Sequence, residues 1–513
     1  MSAWPVPGRA RPGPVELYVR GRIPPEAEGS LVVACSRRVK DRTAYCRWHE
    51  APTDLIRLDL HPGRPGRVVA RILEIGGQGP PGRTGPAFRD PSCHGAGDQP
   101  NHGVNAEAGT VWATNLLFGA PVEVDLEGWT PRRVVRPVEP VSPDGRLSST
   151  SHFAWGPDRR RAYFHQSALE PAPAGAEARG LRLVELDTRT GSTTGWRVAS
   201  PPEDREMREA NFHSAFCWEE DGVRHVGLLR TGAVVESLHP DGGDGPPDRV
   251  ERMSASTVWD VPLDPDRRTL EARLLPGVRE LDGLALSHLA VDASGGDGFV
   301  LYANYKEADI AEDTRGRNVY GEAPGEVAEH YPGMIVEALN FGQVVRYEHR
   351  GGETDIRTFR RPYRPGRTSS GHSWLPINLE LDSTGHRLFG SFNGFRPRLL
   401  SRHLAEAYSD RAAEMDRIQH IPPLLMRFDA DTLRPDEEGG GRGHLRYGEP
   451  VAFSVVGEDG RDFVCTFSPE LGVRIFRADD LGEMVAHAVA PDLLTWRETH
   501  FRPEPAHMEF VRR

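Results

Sequence analysis

NFHSAFCWEEDGVRHVGLLRTG, residues Asn211–Gly232, is the stretch on which the fold reading turns. A histidine leads into an aromatic-rich apolar run, the chain turns at Asp221-Gly222, and a second apolar run follows. Asp-Gly between two such runs is a strong hairpin signal, because the tight turn that joins twisted strands needs positive φ at its central positions. The layout recurs at HLAVDASGGDGFVLYANY (His288–Tyr305), and SHFAWGPDRRRAYFH (Ser151–His165) also opens on a histidine. Three units of one shape predict a repeated β architecture.

Working outward, LIRLDL and VVARIL flank the turn HPGRPGR and read as another hairpin. NHGVNAEAGTVWATNLLFGAPVEVD reads as strands broken at Ala108-Gly109. LRLVELDTRTG ends on turn residues, and WLPINLELDSTGHRLFGSFNGF and VVGEDGRDFVCTF are further strand pairs. Pro24-Pro25 with Gly29 reads as a loop ahead of the first strands. Arg398–His420 is the best helix candidate and reads as an insertion over one face of the sheets.

Composition removes several function classes. The formal net charge of −12 argues against nucleic acid, whose phosphates need a basic face. Lys40 and Lys306 are the only lysines, so Schiff-base chemistry has almost no candidates. Five cysteines without a C-x-x-C pattern suggest a reducing compartment, and no apolar run is long enough for a membrane span, so a soluble cytoplasmic protein is expected. Peripheral membrane contact and the oligomeric state stay open. A formal G-x-G-x-x-G at Gly77, Gly79 and Gly82 carries Pro80 and Pro81, which remove the backbone donors that a pyrophosphate requires.

Four of the 20 histidines stand out: His152, His213, His288 and His500, separated by 61, 75 and 212 residues. Each leads into or lies within a strand-like run, and 212 is close to three steps of about 71 residues, the spacing of repeated sheet units. In a β-propeller the innermost strands line one channel, so imidazoles remote in sequence can converge there and form a metal site. His372 and His507 are rivals for the third and fourth positions.

With these residues in view, the chain over roughly 15–502 resembles the carotenoid cleavage oxygenase family. The resemblance rests on the spacing of the four histidines, on G-x-I-P-P-x-x-x-G at Gly21–Gly29, on the His49–Leu73 hairpin, and on the stretches NHGVNAEAGTVWATNLLFGAPVEVD and EDGRDFVCTFSPELGVRIFRADDLGEMVAHAV. It implies an all-β fold: a single seven-bladed β-propeller over 1–513, about 73 residues per blade, with helical or loop insertions covering one face. It implies Fe(II) held by His152, His213, His288 and His500, with Glu380 and Glu458 orienting the imidazoles; the third acid's place falls near Leu117–Gly119, where no acid stands, so either a backbone carbonyl or water orients one histidine or Glu123 or Asp125 serves. The function it implies is oxidative cleavage of a conjugated C=C bond in a small apolar substrate, with O2 as co-substrate. A metal-dependent isomerase and a non-catalytic binding propeller remain the alternatives. Trp112, Phe118, Phe153, Trp155, Phe212, Trp259, Phe341, Trp374, Phe392 and Phe501 are nominees for an aromatic tunnel, or else for blade packing.

Overall fold

The computed structural model describes residues 9–10, 14–39, 53–63, 66–75, 103–107, 109–114, 121–135, 147–149, 152–168, 182–199, 212–230, 257–276, 289–305, 343–360, 374–394, 424–436, 444–446, 452–468, 471–489 and 501–512. They are almost all strand, and the one helical turn among them is a 3-10 turn at Pro25–Ala27. The hairpins read from sequence form as expected. Thr53–His61 pairs with Arg67–Ile75, Trp374–Leu381 with Arg387–Gly394, and Ala452–Glu458 with Arg461–Ser468. At the Asp221-Gly222 turn φ is 51° and 75°, and at Asp459-Gly460 it is 52° and 80°, the left-handed pair that links strands of right-handed twist. In LDTRTG the Asp187 carboxylate accepts the N–H groups of Arg189 and Thr190, both at 2.9 Å, which closes the turn locally.

The strands assemble into six sheets. Sheet I holds Gly103–Glu107, Thr110–Thr114, Val122–Asp125 and Thr130–Val134. Sheet II holds six strands, from Leu147–Ser149 and Ala154–Trp155 outward. Sheet III begins at Phe212–Glu220, sheet IV at Leu289–Asp292 and sheet V at Trp374–Leu381. Sheet VI has ten strands. In it the meander Ala452–Val489 joins the Val15–Gly21 strand, then Arg67–Ile75, Thr53–His61, Gly29–Val39 and finally Phe501–Arg512.

Hydrophobic clusters lie between successive sheets and close a ring. Phe164 and Trp112 pack I against II, Trp196 and Trp259 II against III, and Phe216 and Tyr347 III against IV. Leu388 and Val300 pack IV against V, Phe389 and Phe453 V against VI, and Val32 and Trp129 VI against I. Each large side chain buried this way contributes roughly 1.5–3 kcal/mol, so the contacts between sheets carry the fold.

The arrangement is propeller-like, but it does not give seven separate blades. Five sheets are blade-sized, and the ten-stranded sheet takes up the rest. The physical reason is the Val15–Gly21 strand. Its first half pairs with Arg67–Ile75 through Val15, Glu16 and Leu17, and its second half with Met484–Val489 through Tyr18 to Gly21, so one hydrogen-bonded ladder runs across what would be a gap between blades. The terminal strands of this sheet, Ala452–Glu458 and Phe501–Arg512, also lie against each other and nearly close it. The expected helical insertion at 398–420 lies outside the described residues, as does the glycine-rich stretch 76–102.

Candidate active site

The inner strands bring side chains from distant parts of the chain together. His152 precedes the inner strand of sheet II and forms a parallel bridge with Ser214 of sheet III, where the Ala215 N–H donates to the His152 carbonyl at 3.0 Å. On its other side, the Phe153 N–H donates to Asn105 Oδ1 of sheet I at 2.7 Å, and Asn105 Nδ2 donates to Thr114 Oγ1 at 3.1 Å. His152 is thereby fixed through backbone on both neighbours. Its ring meets that of His507, with centroids 4.6 Å apart and planes at 66°.

His507 sits in the last strand, opposite Ala34, next to an irregularity in the ladder. The Val104 N–H donates to its Nδ1 at 3.3 Å, which leaves the ring proton on Nε2. That nitrogen lies 3.6 Å from Oε1 of Glu509. Residues two apart on a strand share a face, so H-x-E in AHMEF is the sequence signal that places both groups together. The Glu509 carboxyl is held well above the usual carboxylate range, first by burial, then by the carboxylates of Glu380 and Glu107.

Glu380 arrives from the inner strand of sheet V. Its Oε2 accepts the Val455 N–H at 2.6 Å and the Ser454 hydroxyl at 3.2 Å, both from sheet VI. Burial nevertheless outweighs these bonds and pushes the carboxyl up to about 8. Glu380, Glu509 and His152 are each half-buried.

The other nominated residues divide. His213 falls at the bulge between Phe212 and Ser214, so its backbone lies beside His152; its side chain is not among the described ones. His288, His372 and His500 lie outside the described residues, immediately or closely before strands that begin at Leu289, Trp374 and Phe501. Glu458 needs correction. It ends an outer hairpin, its side chain is 65% exposed, and it pairs with Arg512 at 2.5 Å, because the Glu-Asp-Gly turn projects into solvent. Glu123 is buried but neutralised by Arg133 and Arg132, and Asp125 accepts the Gly128 N–H in a turn, so neither joins the cluster. Trp112, Phe153, Trp155 and Trp259 pack between sheets, which settles the packing alternative for these four.

Imidazole and carboxylate groups suit several divalent first-row metals. Among the described residues no three His, Cys, Asp or Glu side chains are grouped to hold an ion, and one His pair with one adjacent acid is what they supply. The donor types fit a metal such as iron, and the His152 and His507 rings meet edge to face. No helix among the described residues is long and apolar enough to cross a membrane.

No family model matches the chain, and no curated protein is similar to it in sequence. Solved structures are similar over the whole length. The lignostilbene dioxygenase of Pseudomonas brassicacearum superposes with a TM-score of 0.57 at 12% identity, covering 98% of this chain and 96% of that one. A variant of the Synechocystis apocarotenoid oxygenase gives 0.55 at 12% identity, covering 98% and 97%. A cobalt-substituted form of the Synechocystis oxygenase gives 0.54 at 11% identity, covering 98% and 97%. At such identities the likeness is one of fold, and the fold of the chain is similar to that of apocarotenoid and lignostilbene oxygenases.

Proposed function

We propose that this protein is an Fe(II)-dependent oxygenase that cleaves a conjugated C=C bond of a small apolar substrate, with its centre where His152 meets His507. The observation that carries the reading is that contact, inside a ring of sheets whose fold is similar to that of an apocarotenoid oxygenase and a lignostilbene dioxygenase. Iron would be held by His152, His213 and His288, with His507 rather than His500 as the fourth imidazole. His507 takes precedence because it touches His152, whereas the strand carrying it starts at Phe501, six residues and roughly 20 Å away along an extended chain. When bound, the iron would supply O2 activation.

The protein's own groups prepare the site. Asn105 Oδ1 and the Ala215 N–H hold the peptide that joins His152 to Phe153 from two sides. Glu509, with Oε1 3.6 Å from His507 Nε2, is the carboxyl placed to orient that imidazole. Glu380, protonated at neutral pH and anchored to Ser454 and Val455, is the next carboxyl whose charge a cation would favour.

The reading is tested by anaerobic reconstitution with Fe(II), then O2 uptake and product analysis with an apocarotenoid, a stilbene and a phenylpropenoid. About one iron per chain and two carbonyl fragments from one of the three are expected. Stoichiometric iron with rearranged but uncleaved product would replace cleavage by isomerisation, and failure to retain any metal would remove the reading altogether.

A further inference from the structure

A pocket of about 400 Å³ opens on sheet VI and plays no part in the chemistry above. It is lined by Arg57 and Asp59 of the Thr53–His61 strand, Arg67 and Arg71 of Arg67–Ile75, and Glu16 of Val15–Gly21. The ladder register explains the grouping. Arg57 stands opposite Arg71, and Asp59 and Glu16 flank Val69 from the two sides. Directly opposed residues share a face, so the five side chains project into one space.

The charges do not cancel. Three guanidinium groups face two carboxylates, in a chain of net charge −12. Asp59 is already engaged: it accepts the Ser30 hydroxyl at 2.6 Å and Arg57 Nε at 2.6 Å. Arg57 is only 6% exposed and lies over the Trp129 ring at 5.8 Å, yet its Nη1 has no hydrogen-bond partner among the described residues. Arg71 Nε is likewise buried and without one, since Asp59 Oδ2 is 3.9 Å away, beyond hydrogen-bond reach. An orphaned donor on a buried cation is costly, and two of them at one pocket ask for an acceptor carrying negative charge.

We propose that this pocket binds a small oxyanion, of the phosphate or carboxylate class, through the guanidinium groups of Arg57 and Arg71 with Arg67 at the rim. Planar guanidinium donors match the paired oxygens of such anions. The pocket is distinct from the central cluster. Glu509, Val32, Arg57 and Arg71 lie in one register row across four strands, so two strand spacings, roughly 10 Å, separate Arg57 from Glu509, with fully buried Val32 between them.

The test is calorimetric titration of the full chain with inorganic phosphate and, separately, acetate, against chloride at matched ionic strength. Wild type, Arg71→Gln, Arg67→Gln and Arg20→Gln are compared; Arg20 is exposed on a neighbouring strand and serves as control. Saturable binding of phosphate, acetate or both is expected, about tenfold weaker or worse in Arg71→Gln, weaker in Arg67→Gln and unchanged in Arg20→Gln. Which anion saturates identifies the class. Absence of saturable binding to wild type, or equal binding by all four proteins, overturns the proposal. Neither result depends on iron or on O2 uptake.

Discussion

His152 and His507, from the second sheet of the ring and the last strand of the chain, place their ring centroids 4.6 Å apart. A ring-shaped fold makes this contact possible, because its first and last segments share one closing sheet, and on the proposed function His507 is the C-terminal imidazole of the centre. His507→Ala should therefore abolish stoichiometric iron, while His500→Ala should leave it nearly unchanged. Metal content of the two purified variants beside wild type decides the matter, and the reverse pattern would return the fourth position to His500.

Glu509 separates stability from metal affinity. Its carboxyl is strained by burial and by two neighbouring acids, so Glu509→Gln should raise the melting temperature of metal-free protein. The same change replaces the carboxyl that orients His507 and should weaken iron binding by about 10–100-fold. Thermal melts without metal and iron titrations on the same samples read both effects; a fall in both would assign Glu509 a purely structural role.

Glu380 sets a pH dependence of known sign. Its folded value near 8 stands above the ordinary 4.5, so between those limits the folded chain keeps a proton that the unfolded chain has lost. Stability of the metal-free protein should fall as pH rises through that window, by at most about 1.4 kcal/mol per pH unit from this group, and level off above it. Glu509 acts in the same direction, so the diagnostic quantity is the difference between wild type and Glu380→Gln, which should have the flatter profile. Glu458→Gln, on the exposed hairpin, should shift stability by less than about 1 kcal/mol and leave the profile unchanged.

Phe389 tests the ring itself. It is fully buried where sheets V and VI meet, near Phe453 and Leu425. Phe389→Ala should cost about 3–5 kcal/mol, read as a shift in the denaturant midpoint. A change below about 1 kcal/mol would mean that the sheets are held by something other than this packing.

Much of the local structure was legible in the sequence, for a physical reason. Turn chemistry is local: Asp221-Gly222, Asp459-Gly460 and LDTRTG each carry the residues whose φ values and side-chain bonds close the chain, and each closes where it was expected to. Alternating apolar runs fixed the strands between these turns, and together they determined an all-β repeat.

Sheet count and site membership are non-local. Nothing in VELYVRG announces that one strand will pair on both sides and fuse two would-be blades into a ten-stranded sheet. Spacing could nominate His152 and name His507 only as a rival to His500, because a regular repeat does not reveal which histidine of that stretch meets the His152 ring. Glu380 and Glu458 looked equivalent as acids near strand ends; one is buried against Val455 and the other pairs with Arg512 in solvent. The sequence by itself determined strands, turns and the class of fold, while only the tertiary structure decided which side chains meet, since that depends on how the ring closes and not on neighbours along the chain.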